Sequence, residues 1–570
     1  MITSVISTEN RIGQPSVNRF NTFSDLKLSD FDPNVDEISQ WSDFTTNINK
    51  YSFSKSFFQK LNITLPGIKT FFSLPLQTTE VSKITPVAIL DDTADKKETV
   101  LKVLNKLFEK FQVGIETKYV VIVGDGKSYD HMIKLKAEYG ESLQWVLAYP
   151  GDWHILKNLL PIFIKIYFDA GLKQLATVFH HGSTLRTLTD CTNWSITHRF
   201  MIQVWEAMCR HQINSFLLSL SDDQLQNTET LFTDSITHII LSVGLTLEQN
   251  WDNLCNPSLS EEVCRRKNEI FSVFSEELLE KFDHWRIQER KKSDTFSFWD
   301  EFLHTDFMSY VGFYFAIRGR NWTLRNASLK KLSCLFHAFD RHNYLRMIPH
   351  HLADLLTFPQ EVLDFFSQGC FSVSISGEHF YSVALDEAHE MGINLKTKNA
   401  LNSYSQASLT TLTYYLPYRA ETLHNFKQQI QLEREDTHHR ETAVSYVTTQ
   451  EKTIFDYYTK LQSSSLFVSG DRKILHHIFT DIDATIEQTD SLMNYRQYGQ
   501  EDMTNYLKCY LLKISDTMSK APSRKRRNLK TFSAVKVTVH KQKKEIEDQK
   551  TVISCLRKKI AFSKFNRQPV

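Results

Sequence analysis

The chain has 570 residues, 41% of them hydrophobic and 12% aromatic, with 17 glycines and 13 prolines. That is enough chain for roughly three or four domain-sized units around a large core. The scarcity of glycine and proline argues against a β-sandwich array or a disordered chain. The net charge of +1 is unevenly spread: residues 520–570 hold sixteen basic against three acidic side chains, a tail near +13 beside a remainder near −12. A basic tail of this kind points to an anionic partner. Residues 1–75 are polar and rich in Ser, Asn and Thr, with some helix expected near Phe53–Leu61. A dense alternation follows. ITPVAIL (Ile84–Leu90), YVVIV (Tyr119–Val123) and LQWVLAY (Leu143–Tyr149) read as strands. Between and after them come helical patterns at Lys96–Gln112, Tyr129–Tyr139 and His154–Ala176, the last kinked at Pro161. Strands alternating with helices imply a largely parallel sheet covered by helices.

From about 185 to 365 the pattern is helical. CFSVSI (Cys370–Ile375) and HFYSVAL (His379–Leu385) then flank the turn SGE as a second β signal. Residues 402–518 read as mostly helical, and the tail carries weak heptads at Ile546, Val552, Ile553 and Leu556. The boundaries that follow are a polar segment (1–75), the first part of an α/β core (76–182), a helical insertion (183–368), the second part of the core (369–425), a helical C-terminal region (426–518) and the basic tail (519–570). The eight cysteines are scattered, with no CxxC and no zinc-finger spacing, as expected of free thiols in a reducing compartment. No stretch approaches a membrane span of about 20 apolar residues, and the first residues lack a signal-peptide pattern. An intracellular, soluble protein is the expectation.

Two strings suggest an ATP-driven motor. In GDGKS (Gly124–Ser128) the GKS mimics a phosphate-binding loop, and ALDEAHE (Ala384–Glu390) contains DEAH. A phosphate loop needs a glycine five residues before GK so that the backbone amides wrap the phosphate, and that position is Val121, inside the strand. A nucleotide-dependent motor is therefore the distant alternative.

A second grouping explains more. Carboxylates follow each strand: Asp91 and Asp92 after VAIL, Asp125 after VVIVG, and Asp152 in YPGDWH. The carboxyl ends of strands form the ligand crevice of an open α/β sheet. Acidic side chains gathered there repel one another unless a divalent cation neutralises them, and paired Mg²⁺ or Mn²⁺ ions would serve phosphodiester chemistry. Glu387 or Glu390, arriving after the helical insertion, could complete the set. His154 could order a neighbouring carboxylate, while Asp152 is expected to N-cap the helix behind it. His389 reads as an exposed helical histidine.

VVIVGDGKSYDHMIKLKAEYG, WVLAYPGDWHILKN, IYFDAGLKQLA, THRFMIQVWEA and VALDEAHEMGINLKTKNA, in that order, resemble a transposon-derived family of invertebrates known as a domain of unknown function. That family is in turn distantly similar to cut-and-paste transposases with a ribonuclease-H-like core, and the resemblance covers roughly residues 84–420. It implies an α/β ribonuclease-H-like core interrupted by a large all-helical insertion, mostly helical overall. By the same resemblance Asp125 matches the second catalytic Asp by its strand-end position, GDWH resembles the element that follows it one residue too short, and Glu387 or Glu390 matches the late Glu. The first Asp is the weak point. Only one strand is visible before the helix at Lys96, so either Asp91 or Asp92 substitutes or the first strand and its catalysis are lost. If active, the protein would be a Mg²⁺-dependent transposase or nuclease with Asp125, Asp92 and Glu387 as metal ligands. The alternative is a non-catalytic protein-interaction scaffold. SRKRR (Ser523–Arg527) supplies Arg524, Lys525, Arg526 and Arg527 for nuclear import or a nucleic-acid backbone grip. DNA is the expected partner and the nucleus the expected location, otherwise the cytoplasm; no membrane is implied, and a homo-oligomer is allowed.

Overall fold

A computed structural model describes residues 3–9, 26–60, 65–74, 79–90, 92–93, 95–242, 263–378, 380–390, 429, 444–468, 470–512 and 529–532. Short strands and long helices alternate in the first third. β1 (Thr3–Glu9) is followed by α1 (Val35–Lys60), α2 (Ile68–Ser73), β2 (Lys83–Leu90), α3 (Lys97–Lys110), β3 (Val120–Gly124), α4 (Gly126–Tyr139), β4 (Val146–Pro150) and α5 (Asp152–Tyr167). β3 and β4 run parallel, Val120 opposite Val146 through Gly124 opposite Pro150, with α4 as their crossover. β4 is buried along its whole length and β3 only partly. In α3, Val100, Leu104 and Leu107 are buried on one face, as the sequence periodicity predicts.

Two expectations are corrected here. β2 has an antiparallel partner, β1, with a register irregularity between Val5 and Ile6. TSVISTE alternates poorly in hydropathy, but its Thr, Val and Ile are β-branched, and that preference outweighs the missing pattern. The long helix expected from His154 to Ala176 is broken, but not at Pro161, which lies inside α5. It ends at Phe168–Ala170, and α6 (Leu172–Ala176) begins after Gly171. Gly171 has φ 156°, and a Cβ there would lie 2.5 Å from Ile478, so both backbone and packing require glycine.

The remainder is helical: α7 (Gly182–Thr189), α8 (Trp194–Leu217), α9 (Asp222–Ser242), α10 (Lys267–Ser272), α11 (Glu276–Lys292), α12 (Asp294–Glu301), a π-turn at Phe302–Asp306, α13 (Phe307–Arg318), α14 (Trp322–Ala338), α15 (His342–Leu355) and α16 (Gln360–Ser367). The two-residue ladder β5 (Ser372–Val373) and β6 (Val383–Ala384) follows, antiparallel as the sequence suggests. α17 (Leu385–His389), α18 (Val444–Leu461) and α19 (Ile486–Tyr506) complete the described elements. The chain is mostly helical. Among the described residues, the strands form three separate two-stranded ladders, and no ribonuclease-H-like sheet is shown.

One hydrophobic cluster, from Phe31 to Phe532, takes side chains from both sides of the expected insertion. α13 is buried at every position, and α14 packs between it, α1 and α19. Three ion clusters tie the helices together. Lys55 of α1 and Arg210 of α8, 2% and 1% exposed, both engage Glu451 of α18, and Arg210 does so at 2.6 Å. Asp300, fully buried, takes Arg286 at 2.8 Å and Arg290 at 3.1 Å. Asp306, in the π-turn, accepts from Tyr167 and from Tyr495 and Arg496 of α19. No helix among the described residues is long and apolar enough to cross a membrane.

Candidate functional site

The carboxyl ends of β3 and β4 lie side by side, joined by the Gly151 N–H donating to the Gly124 carbonyl at 2.8 Å. Each strand runs straight into a helix. At the end of β3 a single residue, Asp125, makes the turn, and its Oδ1 accepts the N–H groups of Lys127 (3.2 Å) and Ser128 (2.8 Å) to cap α4. No loop is left to wrap a phosphate, which removes the structural basis of the motor reading.

At the end of β4 the cap comes from elsewhere. The residue expected to cap α5, Asp152, is instead turned into the core, 2% exposed. There it accepts from Tyr149 Oη at 2.9 Å and from Arg325 at 2.6 and 3.3 Å. The amino end of α5 is capped by Asp386, which returns from more than 230 residues downstream on α17. Asp386 Oδ1 accepts from the Trp153 N–H (3.1 Å), and Oδ2 from the His154 N–H (2.9 Å) and from His154 Nδ1 (2.8 Å). The approach depends on Gly151, where a Cβ would lie 2.4 Å from Asp386 Oδ2. A carboxylate held by the first N–H groups of a helix is favoured by hydrogen bonding and by the helix dipole alike.

His154 is the centre of the crevice. Its Nδ1 is held by Asp386, and its Nε2 faces Glu390 Oε1 at 4.0 Å. Burial alone would lower the imidazole's pKa. The Asp386 hydrogen bond and charge, together with the charges of Asp125 and Glu390, override it, and His154 is held above its ordinary value. Three carboxylates therefore act on one imidazole. Asn158 donates to the His154 carbonyl (2.8 Å) and to Tyr344 Oη (2.7 Å), which closes the crevice from α15. Burial, then the charges of Asp125 and Asp386, push the Tyr344 phenol up. His389 is half-buried rather than exposed, and burial pushes its imidazole down.

The sequence-predicted residues divide cleanly. Asp125, His154 and Glu390 meet at the crevice. Glu387 does not: it is buried, with Oε1 on Arg318 at 2.8 Å and Oε2 toward the Ala384 N–H. Asp92 pairs with Lys102 at 2.9 Å on the surface, so neither it nor Glu387 is placed as a metal ligand. Asp91 and the basic cluster Arg524–Arg527 lie outside the described residues. Asp386 is the residue that sequence reasoning missed. In DEAHE it sits four residues before Glu390, on the same helical face, whereas Glu387 is rotated by about 100°.

The oxygen donors are of the kind that Mg²⁺ or Mn²⁺ prefers. Their spacing does not fit: among the described residues, no three His, Cys, Asp or Glu side chains gather closely enough to hold a metal ion. Asp386 is already committed to α5 and His154.

No curated protein and no solved structure matches the chain. A family model described as a domain of unknown function (DUF8702) matches residues 69–564, most of the chain, and the chain belongs to that family.

Proposed function

We propose that this chain is a transposase-like, transposon-derived protein that associates with nucleic acid, and that its strand-end crevice works as a clasp, its strand-cleavage chemistry lost. The observation that carries the loss is Asp386: the carboxylate brought back to the strand ends is taken up by two backbone N–H groups and the His154 ring. Asp152 is likewise neutralised by Arg325, and Glu387 by Arg318. What supports nucleic-acid association is the resemblance of the ordered motifs together with the basic cluster Arg524–Arg527. The same fold, stripped of chemistry, would serve as an interaction scaffold.

The test is calorimetric titration of Mg²⁺ and Mn²⁺ into the full chain and into Asp125→Asn, alongside duplex-DNA binding by fluorescence anisotropy over a salt series. The expected result is DNA binding that weakens steeply with salt, by about 0.9 in log K per log salt for each phosphate neutralised, and no cation heat that the variant removes. A cation heat abolished by Asp125→Asn, with DNA cleavage, would instead favour metal-dependent strand cleavage or transfer. One observation favours that second reading: Asp125 and Glu390 flank His154 as accessible carboxylates, and among the described residues no arginine or lysine side chain forms an ion pair with either.

A further inference from the structure

Two cations at the rim of the crevice have no counter-ion among the described residues. Arg341, the residue before α15, is half-buried, and its guanidinium makes neither an ion pair nor a hydrogen bond there. Every other buried or half-buried arginine among the described residues holds a carboxylate or a carbonyl. Arg346, further along the same helix, has Asp130 at 2.6 Å. Burial pushes the Arg341 guanidinium down, and the groups that act against it are the Cys191 thiol and the Tyr344 phenol, not a carboxylate. Lys157 of α5 is also half-buried and has no ion pair among the described residues; its Nζ lies 4.8 Å from the centre of the Trp153 ring. The indole N–H of Trp153 is itself buried, with no acceptor among the described residues.

The fold joins these groups on two sides. Tyr344, on the first turn of α15 after Arg341, accepts from Asn158, the neighbour of Lys157, at 2.7 Å. Cys191 lies in the turn between α7 and α8, and Trp194 at the end of that turn meets the Trp153 ring edge-on at 6.0 Å. The acid beside Cys191, Asp190, is paired with Arg186 at 3.3 Å. The charges of Asp125 and Asp386 reach the Tyr344 phenol but do not act on Arg341. A partly desolvated cation is expected to be paired, and two of one sign select an anion. We propose that Arg341 and Lys157 together bind a phosphate group, a backbone phosphodiester of nucleic acid. The arginine fork takes two phosphate oxygens, and the lysine adds a point charge. That the phosphate belongs to nucleic acid rests on the proposed function, whereas the anion site does not.

Phenylglyoxal modification of the full chain, followed by peptide mass spectrometry, reads Arg341 directly, with the Asp130-paired Arg346 as internal control. The probes are inorganic phosphate and a short DNA duplex, each set against sodium chloride of matched ionic strength. At about ten times the Kd of either probe, modification of Arg341 should slow about tenfold, and that of Arg346 should not change. Lys157→Ala should move the protection to about tenfold higher probe concentration. A duplex that binds, by anisotropy, without protecting Arg341 would overturn this inference and leave the proposed function standing. Protection by phosphate in a chain that binds no duplex would overturn the nucleic-acid source together with the proposed function. Protection by neither probe, or protection unchanged in Lys157→Ala, would overturn the paired site outright.

Discussion

The buried ion clusters of the helical body and the strand-end crevice use the same side chains under opposite conditions. In the body each carboxylate is met by one or two guanidinium or ammonium groups, and at least one partner of each pair is buried. Glu451 is held down at about 2: burial pushes it up, but Arg210 and Lys55 pull it further down. In the crevice three carboxylates share one imidazole, and two of the three keep solvent contact. The first arrangement matches each buried carboxylate with opposite charge, whereas the second leaves three carboxylates to one imidazole. Structural carboxylates are thus recognised by a matched cation, and candidate functional ones by its lack.

The comparison is broken most forcefully at Glu451. Replacing it with Gln removes the carboxylate that Lys55 and Arg210 share and leaves Glu206, 3.6 Å from Lys55, as the remaining acid of the cluster, and we expect a loss of about 3–5 kcal/mol in urea unfolding. A loss below about 1 kcal/mol would mean that the network is solvated. Asp354 comes next. It lies under the crevice helices with Tyr129 Oη on its Oδ2 at 3.1 Å, and burial, against the pull of Lys136 and Tyr129, raises it to about 6. Its folded-state pKa lies above the unfolded value, so its stabilisation is full below about pH 4 and is lost as pH rises through 6. Asp354→Asn should therefore gain on wild type between pH 4 and pH 8, by on the order of 2–3 kcal/mol. A difference that does not vary with pH would refute the assignment. Gly151→Ala should cost about 1–3 kcal/mol by pushing Asp386 away from α5, and amide-exchange protection of Trp153 and His154 should drop with it. The smallest effects belong to the crevice itself. Asp125→Asn preserves the cap, and Glu390→Gln removes an accessible charge. Each should shift stability by no more than about 0.5 kcal/mol, and a larger shift in either would make the crevice as structural as the body.

Much of the strand-end frame was legible because local signals and tertiary demand coincide there. VVIVG and VLAYP are short apolar runs followed by helix-starting residues, and they form β3 and β4. The apolar periodicity of α3 and the SGE turn between β5 and β6 were equally plain. Asp386 was not legible because its role is set by a partner more than 230 residues earlier, and a search for a late glutamate passes over the aspartate beside it. Glu387 and Asp152 looked like site residues since nothing local shows that Arg318 and Arg325 will reach them. Pro161 was read as a kink although a proline inside a helix can be absorbed by packing. The true break fell at Gly171, where the chain makes room for Ile478.

The link between Lys55 and Glu451 also governs how the chain is made. The two residues lie 396 positions apart. At roughly 5–20 residues per second, α1 leaves the ribosome on the order of 20–80 s before the side chain that completes its ion cluster. Through that interval Lys55 lacks its carboxylate from α18, and Arg210, 241 positions before Glu451, lacks it for the later part. Nascent α1 and α8 are then clients for a chaperone, and a messenger that stops short of α18 should yield a product that is degraded instead of a smaller working protein.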